Sequence, residues 1–287
     1  MAVNDDKCFM LRNSFQHMPG IGPLRERRLW DAGILDWDVV VNGISPRFIR
    51  PGLETLSRMA RESAARLEAG DVNYFADRLP VDQHWRLFAD FRGAAAYLDI
   101  ETYPFASGEN AITTIALYDG RMVRHYINGR NLEAFVQDIE HYTTIVSYNG
   151  KAFDVPFIEK YFRTKLYHAH IDLRFVLKSL GYTGGLKGCE AKLGIERGEL
   201  QGLDGYFAVL LWHDYYHNNN SKALETLLAY NIEDTVNLET LMVMAYNLKI
   251  RETPFGKTHA LPLPQKPFIP FKAHPPTIER LKMLIKS

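Results

Sequence analysis

The chain has 287 residues, 34 Lys and Arg against 34 Asp and Glu, and 46% hydrophobic residues, the make-up of a globular protein with room for one large domain or two small ones. No run is long and apolar enough to cross a bilayer, and the opening M-A-V-N-D-D-K carries no apolar segment behind a basic start, so neither a membrane span nor a secretory leader is expected. Two cysteines, Cys8 and Cys189, exclude a disulfide framework and a thiolate metal site, and they fit a reducing, cytoplasmic setting.

Residues 1–80 read as a small helical region. Pro23 suits the first turn of a helix that continues through Leu24, Arg27, Arg28 and Trp30 and stops at Gly33. Ahead of it stands Pro19-Gly20-Ile21-Gly22, which resembles the turn of a helix-hairpin-helix motif. That resemblance implies that Gly20, Ile21, Gly22, Arg25 and Arg28 hold a nucleic-acid phosphate through backbone N–H groups and positive charge, without reading sequence. The other reading is a Gly-Pro turn before an amphipathic helix, since the segment in front is short and not clearly helical. Leu53 to Leu79 is a second helical stretch, interrupted at Gly70 and Asp71, and its arginines read as a solvated face. Residues 80–93 form a connector anchored by Trp85, Leu87, Phe88 and Phe91.

From Ala94 the pattern is strand (to Glu101), strand (Ile112–Tyr118), strand (Met122–Ile127), helix (from Leu132), strand (Thr144–Tyr148), with a turn signal at Asp119-Gly120. In the first strand Asp99 and Glu101 point to one face and Ile100 to the other. Two like charges on one face call for a cation between them, for which a hard divalent ion with oxygen ligands is the natural choice; the alternative is a strand ending at a solvated edge. A short fifth strand at His170–Leu173 is followed by helices at Phe175–Leu180, Leu186–Gly194, Gly205–His217 and Ser221–Tyr246. Asp172 reads as a helix cap before it reads as a metal contact. In the last helix Tyr230 and Asp234 share a face, and Glu233, turned about 100° away, reads as solvated.

The three stretches Asp99-Ile100-Glu101, Asn149-Gly150-Lys151-Ala152-Phe153-Asp154 and Tyr230-Asn231-Ile232-Glu233-Asp234 resemble, in order, the motifs of the DEDD exonuclease superfamily of the ribonuclease H-like fold. Tyr230 stands four residues before Asp234 and residue 229 is Ala, the pattern of the tyrosine branch (DEDDy). The resemblance covers roughly residues 94–246 and implies a mixed five-stranded sheet flanked by helices, with the fourth strand beside the first, so that Asn149 to Asp154 approach Asp99. It implies metal-dependent 3′–5′ exonuclease activity with two ions, Mg²⁺ or Mn²⁺, about 4 Å apart. Asp99, Glu101 and Asp234 would hold one ion, Asp99 would bridge to the second, and Asp154 would reach that one through water. Tyr230 would orient the attacking water, because a phenol of pKa about 10 is a poor base at neutral pH. Asn149 is expected beside the nucleic acid, and Tyr103, Phe105 and Phe153 flank the motifs, Phe153 with core packing as its first reading. The Leu186-Lys187 segment is also shared with such exonucleases and is given no catalytic role.

The partner so implied is nucleic acid with a free 3′ end, DNA ahead of RNA, and no membrane. Two other readings stand beside it: a non-catalytic nucleic-acid-binding module on the same fold, and a structural or recruitment protein. Residues 81–250 form the exonuclease domain on this reading, and 251–287 a Pro-rich tail packed on the body, with a last helix over Thr277–Ile285. Charge divides along these lines: residues 81–248 hold 15 Lys and Arg against 21 Asp and Glu, and residues 249–287 hold 8 against 2. An acidic middle suits a carboxylate metal site, and a basic tail suits phosphate or the acidic body of its own chain.

Overall fold

The structure is a computed structural model and describes residues 10–42, 52–104 and 110–286. A short 3-10 helix, Met10–Asn13, and a turn precede α1, Pro23–Asp31, which ends where Gly33 adopts a φ of +82°. α2, Trp37–Val41, escaped the sequence reading because it is a single turn; the Asp36 carboxylate caps it, accepting from the Val39 N–H at 2.9 Å. The second helical stretch is α3, Leu53–Glu68, and α4, Val72–Ala76, broken at Gly70 (φ +69°) and Asp71, whose side chain caps α4. A 3-10 helix, Val81–Leu87, and α5, Phe88–Phe91, then bury Trp85, Leu87 and Phe88.

The sheet contains β1 (Ala95–Pro104), β2 (Asn110–Tyr118), β3 (Val123–Ile127), β4 (Thr144–Ser147) and β5 (Ala169–Asp172) in the order β3-β2-β1-β4-β5. The first three are antiparallel, and β4 and β5 run parallel to β1. The β2–β3 hairpin turns at Asp119-Gly120: Gly120 takes φ +84°, and the Asp119 carboxylate accepts from the N–H groups of Arg121 and Met122. α6 (Ala134–Ile139) and α7 (Asp154–Phe162) cover one face, where Ala96, Leu98, Ile100 and Ile115 meet Phe135, Ile139 and Ile158. Four further helices follow: α8 (Leu173–Ser179), α9 (Gly185–Lys192), α10 (Gly205–Asn218) and α11 (Ser221–Arg251). α11, about 46 Å long at 1.5 Å per residue, lies on the opposite face, with Ile232 and Val236 in one core with Tyr97, Tyr118 and Val146. That core continues without a break into the N-terminal region, through Trp85 and Phe75 to Trp37 and Phe15. The fold is thus the mixed five-stranded sheet of the ribonuclease H-like type, preceded by a helical region. Among the described residues no helix is long and apolar enough to cross a membrane.

α11 departs from the expected one-sided amphipathic helix. It runs five residues past Tyr246 and is buried nearly all round, because the sheet, α10, the N-terminal region and the chain after Arg251 enclose it. Glu233, expected to be solvated, is buried; its carboxylate accepts from Lys266 and, at 3.4 Å, from Asn237 Nδ2. After α11 the chain is extended from about residue 260 and ends in α12, Pro275–Lys286, which buries Ile278 and Leu281 against α10 and α11. Arg280 of α12 pairs with the buried Asp214 of α10.

Candidate active site

β1 pairs with β4 only at Ala95–Tyr97, so beyond Tyr97 one edge of β1 is open. Asp99 and Glu101 lie in that free stretch, on the face towards α11, while Ile100 enters the opposite core as its alternation requires. A register shift between Glu101 and Thr102 puts a bulge in the pairing with β2 just after them, and Thr113 Oγ1 donates to the Glu101 carbonyl at 3.0 Å. Asp234 enters from α11, and one carboxylate oxygen each from Asp99, Glu101 and Asp234 lie within 4.8 Å of one another.

Asp154 closes the open edge. It begins α7, and its Oδ1 accepts from the Ile100 N–H at 3.2 Å, between the two carboxylates of β1. The loop leading to it explains the residues of its motif. Asn149 holds φ +66°, which Asn tolerates better than most side chains. Gly150 runs against Ser147, where a Cβ would stand 2.2 Å from Ser147 Oγ and 3.4 Å from Asp154 Oδ2. Asp172 accepts from the N–H groups of Asn149 (2.7 Å), Lys151 (3.1 Å) and Arg174 (3.0 Å), so it caps α8 and clamps the loop at once. The Asn149 side chain accepts from Arg174 at 2.5 Å.

Five residues at the site were not legible in advance. Asn231 Nδ2 donates to Asp99 Oδ2 at 2.6 Å and fixes that carboxylate. Lys187 of α9 donates to the Tyr230 hydroxyl, with its Nζ 3.8 Å from Asp234 Oδ2 and 4.3 Å from the centre of the Tyr230 ring. Arg197 is buried: one guanidinium nitrogen pairs with Asp234, and the other donates to both oxygens of the buried Glu190 at 2.9 and 3.0 Å. Asn237 completes that network with a 2.8 Å bond to Glu190. Leu186-Lys187 was the one available signal; nothing in the spacing of Glu190 and Arg197 marks a pair.

Burial pushes the Asp99 carboxyl well above its ordinary range, and Glu101, Asp154 and Asp234 push it further. Glu101 is raised by burial and then by Asp234, against the pull of Lys187. Burial also raises Asp154, to about 7. Asp234 is raised by burial although Arg197 and Lys187 oppose it. The Tyr230 phenol is raised too, by burial and by Asp234, Glu101 and Asp99, so it keeps its proton at neutral pH. Repelling carboxylates at this spacing, offering only oxygen ligands, fit a hard divalent cation.

The flanking aromatics differ from expectation. Phe153 stands in the loop before α7 and is 45% exposed, its ring tilted against that of Phe157 with centres 5.8 Å apart. Tyr103 is buried and its hydroxyl lies 2.7 Å from His213 Nδ1; Phe105 lies outside the described residues. Gly20, Ile21 and Gly22 are not at this site. They line a separate concavity of about 490 Å³ with Gln16, His17 and Arg78. There Gly20 has φ +83°, Ile21 is buried, Arg25 donates back to the Gly20 carbonyl, and Arg28 is exposed. A 3-10 helix stands where a helix-hairpin-helix would have its first α-helix.

A family model described as RNase_H superfamily matches residues 96–246, just over half the chain and all three carboxylate motifs. Among solved structures the chain is similar to the family B DNA polymerase from the hyperthermophilic archaeon Pyrobaculum calidifontis, at 17% identity and a TM-score of 0.42. That likeness covers 58% of this chain and 27% of the polymerase, so the chain spans about a quarter of that protein. No curated protein matches.

Proposed function

We propose, from the premise that the chain belongs to the RNase H superfamily, that it is a metal-dependent 3′–5′ exonuclease of the tyrosine-branch DEDD type. Membership supports a nuclease-type activity on nucleic acid. The finer reading rests on one observation: Asp99, Glu101 and Asp234 converge with Asp154 beside them, and a protonated Tyr230 stands at their margin.

Asp99, Glu101 and Asp234 would hold a divalent cation, and Asp154 would complete the set for a second. Bound Mg²⁺ or Mn²⁺ supplies a hydroxide nucleophile at neutral pH and neutralises charge on the phosphate. The remaining roles belong to the chain. Asn231 fixes the direction of the Asp99 carboxylate. Arg197 holds Asp234 in place, and Glu190 takes up part of its charge. The Tyr230 hydroxyl, held by Lys187, orients water by hydrogen bonding; its burial beside carboxylates holds the phenolic proton and favours that role over base catalysis. The Lys187 ammonium, beside both Tyr230 and Asp234, is positioned to meet a phosphate oxygen.

The test is a panel of 3′-labelled DNA and RNA strands, single and duplex, with Mg²⁺, Mn²⁺ or EDTA. Stepwise loss of 3′ nucleotides that stops in EDTA is expected. No hydrolysis with either ion, or internal cleavage alone, overturns the reading. For Gly20, Ile21, Gly22, Arg25 and Arg28 the proposal is a grip on duplex phosphate, supported by the positive φ of Gly20 and the exposed arginines. Duplex binding across a salt series, with Gly20→Val and Gly22→Val combined, should show weaker affinity and a shallower slope. Superimposed curves would reduce that segment to a turn.

A further inference from the structure

After α11 the chain doubles back as an extended strap across that helix. Asn247 pins its beginning by exchanging two 2.8 Å hydrogen bonds with the Leu261 backbone, and Thr226 Oγ1 pins its end by accepting from the His274 N–H at 3.0 Å. Between these points the side chains alternate. Ile269, Phe271 and Ala273 are half-buried towards the body, and Phe268, Pro270 and Lys272 face outward. Phe268 is 83% exposed, yet Pro267 and Pro270 stiffen the backbone on either side of it. A large ring is therefore held in water on a rigid support.

Beneath the strap lies a groove of about 380 Å³. Its floor is Ala229 and Glu233 of α11, where the small Ala229 lets the strap come close. Arg197 closes the inner end, and the same guanidinium pairs with Asp234. The groove thus starts one side chain away from the carboxylates and leads out past Lys266, Phe268 and Lys272. Its lining carries Lys266, Lys272 and Phe268 from the strap together with Glu199, its floor carries the Glu233–Lys266 ion pair, and the strap belongs to the segment with 8 Lys and Arg against 2 Asp and Glu. Leu200, Ile269 and Phe271 give the groove apolar walls, and the lysines at its rim add positive charge. A polyanion with flat apolar faces matches both features.

We infer that this groove is a track for single-stranded nucleic acid, with a base stacked on Phe268 and phosphates met by Lys266 and Lys272. The inference rests on the exonuclease reading and extends it to the strand upstream of the 3′ end. Lys266 and Lys272 are separated by about 20 Å of extended chain, room for several nucleotides, and stacking on Phe268 makes no demand on base identity. Lys266 is shared with Glu233 but remains half-exposed, so an incoming phosphate can compete for its ammonium.

The experiment compares 3′-labelled DNA and RNA strands of about 3 and about 15 nucleotides, with wild type, Phe268→Ala, Phe268→Tyr and the Lys266→Ala/Lys272→Ala double variant. Phe268→Ala should lower the ratio of kcat/KM on the long strand to that on the short one by about tenfold, within what one base–aromatic stack contributes. Fluorescence anisotropy in EDTA should show the same loss of affinity for the long strand. Phe268→Tyr, which keeps the ring, should restore both, which separates stacking from a folding defect. The double lysine variant should flatten the salt dependence by about 1.4 in log–log slope, two phosphates on a single strand. A Phe268→Ala protein with the wild-type ratio on both DNA and RNA overturns the track while leaving the exonuclease reading intact. A wild type inert towards every strand overturns the exonuclease reading, and the track with it.

Discussion

Two buried charge clusters in this molecule are built on opposite plans. In the N-terminal region Glu26 and Arg86 form a bidentate pair at 2.9 and 3.1 Å, with both side chains almost wholly buried. The remaining Glu26 capacity is filled by the Phe15 N–H at 2.7 Å and Gln16 at 2.5 Å, and Arg86 also reaches Ser14 Oγ at 2.8 Å. One cation meets one anion, and the cluster is complete. In the cleft, among the described residues, Lys187 and Arg197 are the cations set against Glu101, Asp234 and Glu190, with Asp99 and Asp154 alongside. Folding alone gives no reason to gather that excess of negative charge, since each added carboxylate raises the cost of the others. A balanced buried pair is architecture; an unbalanced set, half-buried at Asp99 and Glu101, is where the proposed cation would be held.

The largest effect should come from removing a charge on the unbalanced side. Asp99→Asn is expected to cut hydrolysis by about 10³-fold or more, because a bound metal contributes several kcal/mol to the transition state. The same variant should be more stable than wild type in EDTA, since repulsion is relieved, and should lose the rise in Tm that Mg²⁺ or Mn²⁺ is expected to give wild type. Differential scanning fluorimetry with and without ions reads both. A metal-free Asp99→Asn that is less stable than wild type would contradict the contrast.

On the balanced side the sign reverses. Glu26→Gln leaves Arg86 charged and buried without its partner, and should cost about 3 kcal/mol of unfolding free energy with or without divalent ions. Urea unfolding in EDTA and in Mg²⁺ measures it. A loss under about 1 kcal/mol would mean that Ser14, Gln16 and water satisfy Arg86 unaided.

How far each cluster could be read from sequence follows the same division. Strand alternation made Asp99 and Glu101 legible as a same-face pair, whereas Asp154 and Asp234 were reached only through the resemblance of the three motifs to the DEDD exonucleases; the backbone and packing demands that Asn149 and Gly150 answer are seen only in the structure. The sheet was legible for a related reason: period-two patterning and the Asp119-Gly120 turn are local signals. Glu26–Arg86 spans 60 residues, Arg197–Asp234 spans 37, and Glu233–Lys266 spans 33. No local pattern encodes such pairs, since any solvated Glu or Lys looks the same in sequence. Glu233 was misread for that reason: helical geometry turned it away from Asp234 correctly, but only the strap explains why that face is buried. Phe153 was misread in the other direction, because an aromatic beside a motif gives no sign of which side of the loop it occupies.

A smaller effect probes the margin of the cleft. Tyr230→Phe keeps the ring against Lys187 and Arg197 and deletes the hydroxyl. It should slow hydrolysis by about 10² while leaving the metal affinity within a few-fold of wild type, because in the proposed mechanism the phenol orients water and is not a ligand. Single-turnover rates and isothermal titration with Mn²⁺ separate the two. A loss of metal affinity matching that of Asp234→Asn would make Tyr230 part of the metal site.

The smallest effect tests whether the N-terminal region keeps its interior free of uncompensated charge. His17 is fully buried among Trp37, Tyr74 and Phe75, with ring centres at 5.5, 6.3 and 5.2 Å, and its Nε2 lies 2.8 Å from Ser63 Oγ. Burial, followed by the nearby positive charges of Arg86 and Arg78, lowers its pKa from 6.5 to about 3. In the folded state His17 therefore stays neutral across the range where an unfolded chain would protonate it. Between about pH 6.5 and pH 3 the unfolded state binds more protons, so stability falls as pH falls, and above pH 6.5 this residue adds no pH dependence. The slope from one such group cannot exceed about 1.4 kcal/mol per pH unit. His84 and His170 are lowered by burial as well and add slope of the same sign, so the wild-type curve alone does not isolate His17. The difference between wild type and His17→Gln does. The variant loses the aromatic contacts at every pH but has no proton to take up, so its deficit in urea unfolding should shrink by about 1–2 kcal/mol between pH 7 and pH 5. A deficit constant over that range would show that His17 titrates alike in the folded and unfolded chains, and that the N-terminal core admits a charge it has no partner for.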